Sequence, residues 1–311
     1  MIIRLAKMLI PSPLRPFARR LYRQLMHWNQ RRRFADGFDS SVLQCRIAYN
    51  VHGGYCVPLS SRHLPMVQAI LAGEVFETQT IEYLASQPAS KDLVHAGAFF
   101  GDFLPALSHS RRDGAKVWAF EPNYESYRCA LITLALNDLK NVSLANAALG
   151  AECSRGSLVI RGADGLYLGS TSHMLAENDI PGGPSASIQK AEIVTLDSVI
   201  PEDRYVAAIH FDVEGFETQA LRGALNTIRR CLPVIILETM PNEDWLAENL
   251  WRLGYRMGPR FHYNTVLIPE SQLWGHGPGP WPAGETAAEE ATCAASSDRY
   301  GRRKAMHLDS H

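Results

Sequence analysis

The chain has 311 residues, 46% of them hydrophobic and 20% charged, with a formal net charge of −1. That length allows one large domain with additions or two ordinary domains. The balanced charge provides no global basic field, which argues against a nucleic-acid partner. Six scattered cysteines without a CxxC pair argue against a zinc site or a disulfide framework, so no metal ligands are expected and a reducing cytoplasmic setting fits. No apolar run reaches the roughly 18 residues of a membrane span, and no stretch reads as a signal peptide.

Taken in chain order, Met1 to Ala35 carries nine Arg or Lys residues and no Asp or Glu. Within it Phe17, Leu21, Leu25 and Trp28 fall at helical spacing, giving a basic amphipathic helix. Such a helix either packs on the main domain with a solvated basic face or makes peripheral contact with an anionic membrane surface. Residues 41–60 read as two short strands around a turn containing Asn50, Gly53 and Gly54. A helix is expected around GEVFETQTIEYLASQ. Alternation then begins: strand DLVHAGAF, helix FLPALSHSRR, strand KVWAFEP, helix YESYRCALITLALNDL, and strands in NVSLANAALG and SLVIRG.

A polar, glycine-rich stretch runs from Gly162 to Ser187, followed by strands AEIVTLD and YVAAIHFDV. The helix FETQALRGALNTIRRCL, the fully apolar strand PVIILET, the helix DWLAENLWRLGY and strands around RMGPRFH and NTVLIPE complete the set. Strands alternating with helices predict an α/β fold with a Rossmann-like, doubly wound and mainly parallel sheet, with ligands at the carboxyl ends of its strands. The expected division is an extension over residues 1–74, a main domain over 75–274, and a low-complexity, disordered tail over 275–311.

Two places carry chemistry. The strand DLVHAG brings Gly97 to the sheet edge, with Gly101 at the mouth of the next helix, so backbone can approach a ligand closely. The following strand ends in Glu121, where a carboxylate can hold a ribose diol. A dinucleotide fingerprint has glycine where Phe99 stands, so a pyrophosphate is disfavoured and S-adenosylmethionine suits the turn better. The second place is IHFDVEGFE, residues 209–217, which sets His210, Asp212 and Glu214 at a strand end as an acid/base cluster. Its alternative reading is acidic capping of the next helix, with His210 an ordinary buried polar residue. The stretch LYLGSTSHM offers Ser170, Ser172 and His173 to a polar acceptor.

Taken together, VHAGAFFGD, VWAFEPN, NAALG, TLD, IHFDVEGFETQALRGA and VIILE resemble the FkbM family of S-adenosylmethionine-dependent methyltransferases, over about residues 75 to 268. The family usually has Asp at the position of His95, Asn at Phe99 and often Lys at His210, so this chain reads as a subgroup. The resemblance implies a class I methyltransferase fold and a cofactor site of His95, Gly97, Phe99, Gly101, Glu121, Asn123, Asn146 and Ala147. Asp212, Glu214 and His210 then line the methyl-transfer side, with Asp212 the first choice of base and His210 the second. It also implies O-methylation of a hydroxyl or carboxyl on a sugar, a glycolipid or a natural-product intermediate, the acceptor being a small molecule or linked to a glycan or lipid. Two alternatives stay open: a non-catalytic binding module of the same fold, and a nicotinamide-dependent oxidoreductase.

Overall fold

A computed structural model of the chain describes residues 42–162, 164–175 and 187–273. The basic helix expected within residues 1–35, the tail from residue 275 and part of the polar stretch after Gly162 lie outside the described residues. The chain divides into two compact units at Pro269/Glu270; of the second, the described part is one helical turn, Glu270–Leu273. Among the described residues no helix is long and apolar enough to cross a membrane.

The first unit opens with the hairpin β1 (Cys45–Asn50) and β2 (Gly53–Pro58). Asn50 organises its turn, its Oδ1 accepting from His52 N at 2.9 Å, the local side-chain bond that favours Asn in turns. A short helix absent from the sequence reading, α1 (Pro65–Leu71), precedes α2 (Thr78–Ala85). Then come β3 (Asp92–Ala96), α3 (Leu104–His109), β4 (Val117–Phe120), α4 (Tyr124–Leu136), β5 (Val142–Ala145), β6 (Ala148–Leu149), β7 (Ser154–Arg161), β8 (His173–Met174), β9 (Ser187–Val194) and α5 (Leu196–Val199). The order closes with β10 (Val206–Phe211), α6 (Glu217–Arg222), α7 (Leu225–Cys231), β11 (Val234–Leu237), α8 (Glu243–Asn249), β12 (Tyr255–Phe261) and β13 (Asn264–Pro269).

The main sheet has seven strands in the order β12-β13-β11-β10-β3-β4-β5. From β11 to β5 neighbours run parallel, and β13 and β12 add an antiparallel edge. Strands β10 and β11 are buried along their whole length, which explains the unbroken apolar sequence of β11 and the apolar run that opens β10 before His210. One core lies on the face of Val94, Phe120, Ile209 and Phe211; the other packs Leu93, Ala208 and Ile236 against Phe103 and Leu104.

Three features depart from the sequence reading. Strands β6 to β9 leave the main sheet and form a second one, ordered β6-β9-β7-β8. The helix expected over residues 216–232 breaks at Gly223, where a Cβ would lie 2.0 Å from the Gly150 carbonyl oxygen. Asp197 from α5 accepts from Asn226 N and Thr227 N at 2.9 and 2.8 Å, and so starts α7 afresh. The hairpin, expected as part of an extension, shares a core with the main domain through Tyr55, Cys56 and Val57 against Phe99, Phe100 and Cys129.

Candidate active site

Strands β10, β3 and β4 are adjacent and parallel, and the chain leaves β3 towards β4 and β5 before returning to β10 on the other side. Such a switch point opens a crevice beyond the carboxyl ends of the strands. Here that crevice is a cleft with about 450 Å³ of space, its open mouth included, lined among others by Gly97, Glu121, Ala147, Ser170, Ser172 and Asp212.

Gly97 is required where it stands. Its φ is +88°, and a Cβ there would lie 1.9 Å from the Asp212 carbonyl oxygen. The ends of β3 and β10 are this close because both continue their pairing past the strands, Asp212 N donating to Ala96 O at 3.0 Å.

Glu121 is the centre of the turn. Its Oε2 accepts from Phe99 N and its Oε1 from Asn123 N, both at 2.7 Å. Burial nonetheless pushes its carboxyl up to about 8, the two backbone donors opposing the rise and the nearby Asp102 adding to it. The glycine turn is thus wrapped around the carboxylate that the sequence reading assigned to the ribose.

Phe99 reaches the site through its backbone alone. A φ of +45° turns its side chain into the hairpin core, where its ring lies 4.7 Å from that of Phe100. The bulk that set it apart from a glycine therefore does not fill the cleft. Gly101, at φ +84°, closes the turn against Leu104 and Thr133 and does not line the cleft. Asn123 caps α4 by accepting from Glu125 N and also accepts from the Tyr167 hydroxyl at 2.9 Å, while its Nδ2 donates to the Ser172 hydroxyl. Asn146 clamps the end of β4 by donating to the carbonyls of Glu121 and Pro122 at 2.8 and 3.2 Å; its neighbour Ala147 lines the cleft.

His95 and His210 are not cleft residues. They sit opposite each other on β3 and β10, fully buried, with Nδ1 to Nδ1 at 3.0 Å and both rings stacked with Phe103. His210 Nε2 meets Asn264 Oδ1 at 3.2 Å, and Asn264 Nδ2 donates to Glu77 Oε2 at 2.7 Å. Asn264 Oδ1 can only accept, so His210 carries its proton on Nε2, and His95 donates from Nδ1 to the bare His210 Nδ1. Burial holds both imidazoles neutral, lowering His210 to about 4 and His95 well below its usual range. A side chain one residue inside a buried strand has no path to the cleft, which removes His210 as a base.

Asp212, the first residue beyond β10, does reach the cleft. Burial raises its carboxyl well above the usual range, and the negative charges of Glu238, Glu214, Glu77 and Glu217 add to the rise. Carboxylate oxygens of Asp212, Glu214 and Glu238 lie within 4.8 Å of one another. Glu214 holds a left-handed φ of +52° in the loop before α6. The segment Gly169–Met174 forms another wall: Ser170 and Ser172 line the cleft, whereas His173 turns its Nδ1 to the Thr171 carbonyl at 3.3 Å.

The reading from sequence missed Glu77, Asp102 and Glu238, and the apolar lining from Leu158, Met174 and Phe216. Glu238 had a signal, the acid that ends the apolar strand VIILE. Leu158 and Met174 had none, since they come from the second sheet.

The methyltransferase FkbM domain family matches residues 95–257, just over half of the chain. The chain belongs to this family. No curated protein matches it. Among solved structures it is similar to a methyltransferase FkbM from Methylobacillus flagellatus KT, at 19% identity and a TM-score of 0.40, covering 58% of this chain and 43% of that one. The chain thus spans less than half the length of that relative. A precorrin-6y C5,15-methyltransferase from Geobacter metallireducens GS-15 is 16% identical with a TM-score of 0.33, over 61% of this chain and 84% of that one. TYW2 of M. jannaschii in complex with AdoMet is 12% identical with a TM-score of 0.37, over 73% and 84%.

The family is one of methyltransferases, and the cofactor it implies is S-adenosylmethionine. The residues present fit that group. Gly97, with no side chain to bar a ligand, and the Glu121 carboxyl group both line the cleft. The acids around Asp212 suit the positive sulfonium and ammonium groups.

Proposed function

We propose that the chain transfers a methyl group to an oxygen of a small-molecule acceptor, a hydroxyl or carboxyl on a sugar, a glycolipid or a natural-product intermediate. When bound, S-adenosylmethionine supplies an electrophilic methyl group on a sulfonium. The observation that carries the reading is Asp212: a carboxylate at the cleft with Gly97 and Glu121, its proton affinity raised by burial and then by the acids around it. A hydroxyl must lose a proton as it is methylated, and a carboxylate with raised proton affinity is a better base for it. Holding the acceptor in line behind the methyl supplies much of the remaining acceleration.

In this reading Glu121 holds the ribose, Gly97 gives backbone access, Ala147 lies by the adenine, and Ser170 and Ser172 contact the acceptor. Glu214 stands beside Asp212 and tunes its charge. Calorimetric titration with S-adenosylmethionine tests the cofactor half: micromolar binding by the wild type, lost in Glu121→Ala, is expected. Radiolabelled methyl transfer across a panel of hydroxylated acceptors tests the rest. Asp212→Asn should retain cofactor binding and lose transfer by about a hundredfold or more; unchanged transfer removes Asp212 as the base, and no wild-type binding favours a non-catalytic module. Vesicle flotation of the full chain against one lacking residues 1–35 tests a lipid-linked acceptor: equal binding removes that class.

A further inference from the structure

Three cysteines outside the cleft converge where the hairpin meets α4. Cys45 is half-exposed on β1, while Cys56 on β2 and Cys129 on α4 are fully buried in one core with Phe99 and Phe100. Cys56 pairs with Ile47 in the hairpin register, so Cys45, two residues before Ile47, is its diagonal neighbour on the same face. Cys45 packs against the core that holds Cys56 and Cys129. Cys45 is thus the surface side of the group, with Cys56 and Cys129 inside.

This arrangement favours one thiolate. The Cys129 S–H donates to the Cys56 sulfur and lowers it to about 7; burial opposes the shift and the Cys45 S–H adds to it. Cys45 is pushed up to about 11, first by its own burial and then by Cys56, and Cys129 is pushed up as well. The proton lost early is that of Cys56, and its thiolate is placed to take a proton from Cys45.

The cluster is also joined to the cofactor turn. Cys56 N donates to the Thr133 hydroxyl at 3.0 Å, and that hydroxyl donates to the Phe100 carbonyl at 2.8 Å. Thr133 further packs on Gly101, 3.4 Å from where a Cβ would stand. Movement between β2 and α4 therefore acts on residues 97–101.

We propose that Cys45, Cys56 and Cys129 form a thiol relay that a peroxide oxidises to a Cys56–Cys129 disulfide, and that this bond weakens cofactor binding. The Cys56 thiolate takes the proton of the partly exposed Cys45, whose sulfur attacks the peroxide ROOH, breaking its O–O bond to give a Cys45 sulfenic acid and an alkoxide or hydroxide that a solvent proton converts to ROH. Cys56 displaces hydroxide from that sulfur, which leaves as water with the Cys56 proton and forms a Cys45–Cys56 disulfide. Cys129 then attacks the Cys56 sulfur and expels Cys45, which regains a proton. In sum two thiols and one ROOH become one disulfide, ROH and water. A disulfide holds its sulfurs at roughly 2.05 Å, far inside van der Waals contact, and draws β2 and α4 together beside the Cys56–Thr133 bond.

The test treats the full chain with stoichiometric hydrogen peroxide, maps linked peptides by mass spectrometry of a non-reduced digest, and measures S-adenosylmethionine binding by calorimetry. A Cys56–Cys129 linkage is expected, with affinity lowered by about fivefold or more and restored by dithiothreitol. Cys45→Ala should slow the linkage, and Cys129→Ala should stop the relay at Cys45–Cys56. Cys153, exposed on β7's approach and an independent target for peroxide, is controlled by Cys153→Ser, which should leave the linkage unchanged. If Cys129→Ala fails to fold, the surface-side Cys45→Ala carries the test. Absence of the linked peptide, or its formation at full rate without Cys45, overturns the relay; linkage with unchanged affinity overturns the coupling. The coupling rests on cofactor binding by the reduced chain, whose failure shows before any peroxide is added and leaves the mapping intact.

Discussion

Gly97 and Glu121 show how little side chain the cofactor turn uses. The turn is a run of backbone donors folded around one carboxylate, and Gly97 is where two strand ends nearly touch. Gly97→Ala adds a methyl at a left-handed φ and drives it into the Asp212 carbonyl. We expect it to cost about 2 kcal/mol or more and to lower the melting temperature measurably, with or without cofactor. A stability equal to wild type would mean that the β3 and β10 ends are further apart than described. Gly97, Glu121 and Asp212 were legible in the sequence because position at a strand end is a one-dimensional property. The directions of His95, His210 and Phe99 were not, because each depends on a partner or a dihedral angle that no spacing records. His210 finds His95 across 115 residues of chain.

The break between α6 and α7 belongs to a different level of organisation. The sequence pattern predicts one helix, since its apolar face runs through Gly223 without interruption. Two contacts override it: the tight approach of Gly223 to the Gly150 carbonyl, and the Asp197 carboxylate that caps α7 in place of a residue of its own. Asp197→Ala should cost about 1–2 kcal/mol in urea denaturation and leave cofactor affinity unchanged. A change under a few tenths of a kcal/mol would show that the cap is dispensable. The hairpin makes the same point. Its turn was legible from Asn50 and Gly53, but its packing on α4 through Asn137, which donates to the Gly54 carbonyl at 2.6 Å, is a contact of 83 residues' separation.

Across the protein, the dominant electrostatic feature is a set of carboxyls held above their ordinary range. Glu77 and Asp102 are raised to about 7 and Glu121 to about 8, in each case first by burial, and Asp212 is raised well above its ordinary range, also first by burial. A carboxyl whose folded pKa exceeds its unfolded value contributes stability that is complete below the unfolded pKa and lost as pH rises through the folded one. The cofactor-free protein should therefore lose stability steadily between about pH 5 and pH 8, measured as melting temperature against pH, and Glu121→Gln should flatten the upper part of that fall. Binding of S-adenosylmethionine should release protons and tighten over the same interval. Its demethylated product, which lacks the sulfonium charge, should show a weaker pH dependence by calorimetry in buffers of differing ionisation enthalpy. Equal dependence for the two ligands would place the acids away from the sulfonium.

What the amino-acid order settled by itself was the local and the periodic: the alternation of strands and helices, the apolar strands at the centre of the sheet, the glycine turn, and the acids that end β4 and β10. These follow from backbone geometry and from the burial that hydrophobic spacing encodes, so they can be read one window at a time. The three-dimensional arrangement alone determined which of the ionisable residues meet. It buried the histidines between β3, β10 and Phe103, brought Glu77 and Glu238 to Asp212, set the second sheet as a wall of the cleft and gathered three cysteines where the hairpin meets α4. Those contacts join segments far apart in the chain, and their energies depend on burial and on distances that exist only once the sheet has formed.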